Sequence, residues 1–253
     1  MALLEIAELS KRFGGLTAVQ KLGLEIEPGE IVAMIGPNGA GKSTVFNLIT
    51  GVYAPSSGRI SFAGTRIDRR PTYRIASAGI ARTFQNIRLF AFMSALDNVM
   101  TGEHPLMHAK LWDSLLHTPF GRNEEKRVRA RALDLLGLVG LDGDAQTFAG
   151  SLPYGSQRRL EIARALAGNP KLLLLDEPAA GMNPREKTDL LALIREIRAL
   201  GTTIFLIEHD MSLVMQISER IVVLDHGESI ASGTPAQIRS DPAVIEAYLG
   251  APR

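Results

Sequence analysis

Cysteine is absent from the 253 residues, which excludes disulfides and thiolate metal sites and suits a reducing compartment. Neither sign of charge prevails. Lys and Arg number 28 and Asp and Glu 27, a formal net charge of +1, so no global basic excess argues for a nucleic-acid partner. Long apolar runs are missing as well. The longest, such as Leu172-Leu173-Leu174-Leu175, are strand-sized and far below the roughly 18 residues needed to span a bilayer. Met1-Ala2-Leu3-Leu4-Glu5 carries no basic stretch before an apolar core, so no secretory leader is expected. Any membrane role is therefore expected to come through a partner.

The most informative stretch present is Gly36-Pro37-Asn38-Gly39-Ala40-Gly41-Lys42-Ser43-Thr44. It fits the phosphate-binding loop, and its flanks fit too: an apolar, mostly β-branched run (Ile31–Ile35) before it, and Val45–Ile49 with a stop at Gly51 after it. Glycines let the backbone approach a ligand closely. The loop's N–H groups then converge on phosphate oxygens, and a helix N-terminus adds positive potential. Lys42 is expected to reach the outer phosphates, and Ser43 to offer its hydroxyl to Mg²⁺.

Strand and helix patterns alternate along the chain. Leu22–Ile26, Gly58–Gly64, Gly79–Gln85, Leu172–Leu175, Thr202–Ile207 and Ile221–Leu224 read as strands. Pro71–Ala78, Gln157–Ala167, Arg185–Leu200, Met211–Ile217 and two short segments within Pro235–Leu249 read as helices. This pattern predicts an α/β fold with a mostly parallel sheet covered on both faces. Between residues 86 and 156 it gives way to helical spacing, including an amphipathic stretch over Lys126–Val139. One domain over 1–253 is expected, with 1–85 and 157–253 forming the core and 86–156 a helical insertion. The basic run Arg122–Arg131 reads as a solvated helix face rather than a lipid-headgroup patch, and Trp112 as buried packing.

Leu172–Leu175 ends in Asp176-Glu177. Beside a phosphate loop, Asp176 is expected to help hold Mg²⁺ and Glu177 to orient a water for attack on the terminal phosphate. Gln85 follows a strand, and its neutral carbonyl suits Mg²⁺ or the attacking water; alone it reads better as an ordinary surface glutamine. His209, after Thr202–Ile207, is placed to meet a γ-phosphate oxygen. His104, His108, His117 and His226 show no metal spacing and are expected at the surface.

Together these residues resemble the nucleotide-binding subunits of ABC transporters. The resemblance spans nearly the whole chain. It makes Gln85 the Q-loop, Leu152-Pro153-Tyr154-Gly155-Ser156 the signature loop, Asp176-Glu177 the Walker B pair, Gly181-Met182-Asn183 the D-loop and His209 the switch histidine. It implies a P-loop NTPase fold with an N-terminal antiparallel β subdomain and an inserted α-helical subdomain. It further implies ATP hydrolysis by a head-to-tail pair, each ATP lying between one subunit's phosphate loop and the signature loop of the other, Tyr154, Gly155 and Ser156 included. Phe13 then falls at the adenine-stacking aromatic, with Val19 beside it. Pro153 and Asn183 depart from the wider pattern, the first losing a hydroxyl and the second a charge. Wording at 152–164, 176–184, 207–211 and 233–250 is similar to the longer ATP-binding subunit of branched-chain amino acid (Liv-type) importers. That implies transmembrane permease partners, a second ATP-binding subunit (this chain or a paralogue) and a peripheral place on the cytoplasmic face of the inner membrane. Asn86–Phe92 is expected to form part of a groove for the membrane subunit. Rival readings are a lipopolysaccharide-export ATPase and a soluble ABC ATPase outside transport. A soluble ABC ATPase of DNA repair would carry a coiled-coil arm longer than the roughly 45 inserted residues provide at about 1.5 Å per residue, and a ribosome-associated one would carry two tandem cassettes.

Overall fold

The computed structural model describes residues 1–104 and 119–249; Trp112, His108 and His117 lie outside them. Two sheets build the chain. β1 (Leu4–Phe13), β2 (Leu16–Ile26), β4 (Ser57–Phe62) and β5 (Thr65–Arg66) form an antiparallel sheet in the order β2-β1-β4-β5. The second sheet runs β10-β9-β3-β8-β7-β6. Its members are β3 (Ile31–Ile35), β6 (Ile80–Arg82), β7 (Leu172–Asp176), β8 (Thr203–Ile207), β9 (Arg220–Asp225) and β10 (Glu228–Gly233). All pair in parallel except β10, which returns antiparallel on β9. His226 and Gly227 make the connecting turn with φ of 44° and 84°, the two positive values a tight hairpin requires.

The central strands are fully buried, and their alternation sorts side chains to two faces. Ile31, Ala33, Ile35, Leu173, Leu175, Ile204 and Leu206 face one core; Val32, Met34, Leu172, Leu174, Phe205 and Ile207 face the other. The second core also takes α1 (Lys42–Ile49) and the antiparallel sheet, with Phe46 tilted on Phe205 at a centroid distance of 5.0 Å. The first core continues without a break into the helices α3 (Ala95–Gly102), α4 (Pro119–Leu138) and α5 (Tyr154–Ala167). It also takes α6 (Pro184–Ala199) and α7 (Met211–Ile217). The short helices α2 (Thr72–Ser77), α8 (Pro235–Arg239) and α9 (Pro242–Leu249) complete the chain.

Two boundaries differ from expectation. The strand predicted over 79–85 ends at Arg82 because the carbonyls of Phe84 and Gln85 turn away to accept from the Arg158 guanidinium. The helix predicted from residue 157 starts at Tyr154. Pro153 caps it with φ −54°, and its carbonyl accepts from Gln157 N at 2.9 Å, so the signature segment is itself a first helical turn.

The helical layer sits tightly. A Cβ on Gly102 would lie 2.1 Å from the Arg164 carbonyl oxygen, so α3 and α5 meet backbone to backbone. Gly102→Ala is expected to push these helices apart at a cost of about 1–3 kcal/mol, read as a lowered denaturant midpoint with an unchanged slope.

Candidate functional site

The phosphate loop, Gly36–Ser43, lies between β3 and α1 and is wedged against two neighbours. A Cβ on Gly36 would fall 1.9 Å from the Leu224 carbonyl oxygen, and one on Gly41 2.3 Å from that of Ala18. With φ of 151° and 103°, neither position admits a side chain. The β9–β10 turn latches the loop: Gly227 N donates to Ala40 O at 2.9 Å. Helix α1 begins after Gly41 with no side-chain cap and no acid in its first turn. Its leading N–H groups are therefore open to an anion. Lys42 Nζ donates to Gly36 O at 2.7 Å and Pro37 O at 2.9 Å. Burial pushes this ammonium below its usual range, against the pull of Glu177 and Asp176.

The carboxyl ends of β7 and β8 bring the remaining groups to the same edge. Glu177 Oε2 accepts from Gln85 Nε2 at 3.0 Å, and its Oε1 lies 2.9 Å from His209 Nε2. Glu177 holds a left-handed backbone, φ 49°, unusual outside glycine and asparagine, which turns its side chain out of the strand. Asp176 is buried, with Oδ2 on Arg82 at 2.8 Å. Gln85, Glu177 and His209 line one pocket of about 630 Å³ with Phe13, Asn38–Thr44, Thr17 and Ala18, whereas Asp176 does not border it; its volume is within the range of small-molecule sites. Phe13 is 40% exposed at its mouth, with Tyr53 packed edge-on at 5.1 Å.

One expectation is corrected. Val19 does not border the pocket; it is fully buried in the core, and Leu16, Thr17 and Ala18 form that wall. His226 is exposed as expected, on the rim of the pocket. Asn183 is occupied as the cap of α6, accepting from Arg185 N and Glu186 N at 3.0 Å. Tyr154, Gly155 and Ser156 lie apart from the pocket of their own chain, packed against its D-loop. A Cβ on Gly155 would lie 2.5 Å from Glu186 Oε1, and one on Gly181 3.0 Å from the Tyr154 ring. Helix α5, like α1, starts without a side-chain cap.

Sequence reasoning passed over Glu208. It is 4% exposed and accepts from the backbone N–H groups of Ala179 at 2.8 Å, His209 at 3.0 Å and Asp210 at 3.4 Å. One carboxylate thus ties the segment after Glu177 to the segment bearing His209. Burial raises this carboxyl above the usual range, against those three donors. Its only sequence signal was an acid directly after an apolar strand.

Comparison with known proteins agrees with this geometry. The ABC transporter family profile matches residues 19–180, and the branched-chain amino acid ATP-binding cassette transporter profile matches 228–253. The high-affinity branched-chain amino acid transport ATP-binding proteins BraF of Pseudomonas aeruginosa and LivG of Escherichia coli K12 are each 49% identical over 249 residues, 98% of both chains. A probable LivG of Archaeoglobus fulgidus is 34% identical, covering 99% of this chain and 96% of that one. A nucleotide-free ATP-binding cassette from an ABC transporter superposes with a TM-score of 0.86 at 32% identity, over 99% and 100% of the two chains. A dimeric cassette bound to ADP and Pi superposes with 0.77 at 26%, over 92% and 98%. Fold and site together define a nucleotide-binding P-loop ATPase. The chain belongs to the ABC transporter family, as its ATP-hydrolysing cassette.

Glu208→Ala is expected to cost at least about 2 kcal/mol, since it strands buried N–H donors. Hydrogen exchange at the Ala179 and His209 amides should accelerate while that of β3 stays protected in proportion to global stability.

Proposed function

We infer that this chain powers import of branched-chain or closely related amino acids through a membrane permease, by binding and hydrolysing ATP in the pocket beside the phosphate loop. The observation that carries the reading is the Glu177 carboxylate suspended between Gln85 and His209 at the mouth of that loop. The solute class rests on the relatives that match 98% of the chain and on the C-terminal family match.

The residues divide the work by chemistry. The Phe13 face offers a stacking surface for a purine. The N–H groups of the loop and of α1 receive the phosphate chain, and Lys42 leaves the Gly36 and Pro37 carbonyls for the outer phosphates. Glu177 accepts a proton from the attacking water or orients it, and its two hydrogen bonds hold it where that water must stand. His209 passes from Glu177 to the γ-phosphate oxygen. The hard oxygen donors Ser43, Asp176 and the Gln85 carbonyl fit Mg²⁺. Among the described residues there is no cluster of three His, Asp or Glu that could hold a cation, and nucleotide phosphates would supply further oxygen donors. Bound there, the ion neutralises charge on the β- and γ-phosphates.

The signature segment stands away from its own pocket. A second cassette, a copy of this chain or a paralogue, supplies Tyr154, Gly155 and Ser156 or their counterparts, and the uncapped N-terminus of α5 offers N–H groups to the shared nucleotide. ATP then closes the pair by its higher affinity for the closed state, and hydrolysis releases it. No described helix is long and apolar enough to cross a membrane. A separate groove of about 440 Å³, walled by Val52, Ile75, Ala81, Phe84 and Phe90, suits a helix of the permease, and a chain docked through it would sit at the cytoplasmic face of the inner membrane. Phe90 is 53% exposed there and Phe92, beside it in sequence, 95%.

Glu177→Gln is expected to retain ATP binding within about twofold and to lower turnover by at least about 10²-fold, the scale of a lost general base; unaltered phosphate release would refute the role. Phe13→Ala should raise KM for ATP about tenfold with kcat little changed, on the scale of a lost base–aromatic stack. A drop in kcat alone would show that the ring does not bind the base.

A further inference from the structure

The groove and the ATP pocket share one side chain. Arg82 lines the groove, yet its guanidinium reaches through to the nucleotide side. Nη2 donates to Asp176 Oδ2 at 2.8 Å and Nη1 to Asn47 Oδ1 at 2.7 Å on α1. Both members of the ion pair are more than nine-tenths buried, the side chains being 8% and 5% exposed. The guanidinium also packs on two rings, 5.1 Å from the Phe84 centroid and 5.5 Å from that of Phe46. Arg88 lies 4.4 Å from the Phe84 centroid, so two guanidinium groups contact the ring that walls the groove.

Stability alone explains this arrangement poorly. A buried ion pair adds little or nothing over an apolar pair of equal volume. This one leaves Arg82 Nε buried with no hydrogen-bond partner among the described residues, a cost of the kind tolerated at functional positions. The contact does fix the Asp176 carboxylate, presenting one oxygen to Arg82 and leaving the other without a hydrogen bond among the described residues. Groups that hold a ligating carboxylate in place commonly set metal affinity.

We propose that Arg82 is a positioning residue that aims the Asp176 carboxylate at the divalent cation of the bound nucleotide, and that the Phe84 wall of the permease groove acts on the cation site through it. The inference rests on the reading of Asp176 as a cation ligand. It supplies a direct route for coupling: displacing Phe84 shifts Arg82, and shifting Arg82 frees Asp176 to rotate.

The test uses the full chain with a non-hydrolysable ATP analogue and Mn²⁺ as the probe, bound Mn²⁺ being read by electron paramagnetic resonance. Arg82→Met is expected to weaken Mn²⁺ binding about tenfold, the lower end of the outer-shell range, while metal-free affinity for the analogue stays within twofold. Arg82→Lys should recover part of the loss. Phe84→Ala should weaken Mn²⁺ binding in the same direction and add nothing further in the Arg82→Met background, the mark of a shared path. Mn²⁺ binding unchanged in Arg82→Met, or a Phe84→Ala effect that persists in full beside it, overturns the proposal. Should Arg82→Met fail to fold, Asn47→Ala, which removes the shorter of the two hydrogen bonds that Nη1 makes, to Asn47 at 2.7 Å and Thr50 at 3.4 Å, decides in its place: weakened Mn²⁺ binding supports the role, unchanged binding overturns it. Failure of the unmutated chain to bind Mn²⁺ with the analogue would instead bring down the cation-site reading on which the inference rests.

Discussion

One carboxylate organises this chain. Glu177 is held by Gln85 on one oxygen and His209 on the other, and those three residues follow three neighbouring parallel strands, β6, β7 and β8. Each strand delivers one group to the same edge of the sheet, where the phosphate loop after β3 also opens. The arrangement depends on strands buried on both faces, because only a sheet packed above and below fixes the strand ends closely enough to align such short contacts. The left-handed backbone of Glu177 carries a cost on the order of 1–3 kcal/mol, which the packing of the sheet and the Glu208 brace offset.

The geometry also fits the proposed pairing of two cassettes. Nucleotide-facing groups cluster at the phosphate loop, while the signature turn begins α5 elsewhere and leans on its own D-loop. Helices α1 and α5 start without a side-chain cap, as does the short α2, whereas α3, α6, α7 and α8 are closed by Ser94, Asn183, Asp210 and Thr234. The open ends of α1, at the phosphate loop, and α5, at the signature segment, suit an anion bound between two chains. Asn183 fits this division: capping α6 needs a side-chain oxygen and no net charge, so the change from aspartate leaves the local structure intact.

Much of this was legible in the sequence because the signals were local. Ile31–Ile35 followed by spaced glycines and Lys42 announced a strand, a loop and a helix start. Leu172–Leu175 running into Asp176-Glu177 announced a buried strand ending in chemistry. What stayed hidden was set by tertiary contacts. Arg82 and Glu208 carry no motif; their importance comes from burial and from partners 94 and 29 residues away. The early end of β6 came from Arg158, a residue on a distant helix competing for two carbonyls. Val19 is fully buried because the β1–β2 ladder shifts register between Arg12/Thr17 and Lys11/Val19, which breaks the alternation of β2, so that Val19 turns inward while Thr17 and Ala18 meet the pocket. The helical region read as a separate insertion because its spacing changed, yet its apolar residues join the core beneath the sheet.

The central claim is that a nucleotide seated at this phosphate loop is shared with a second cassette. The absence of cysteine lets a single thiol-attached photo-crosslinker report on it directly. Attached at Asn38→Cys, exposed on the loop, in the assembled transporter, it should form an adduct with the signature segment of an ATP-binding subunit when ATP is bound and lose it with ADP. Adducts identical in ATP and ADP, or adducts confined to the permease, would contradict the claim.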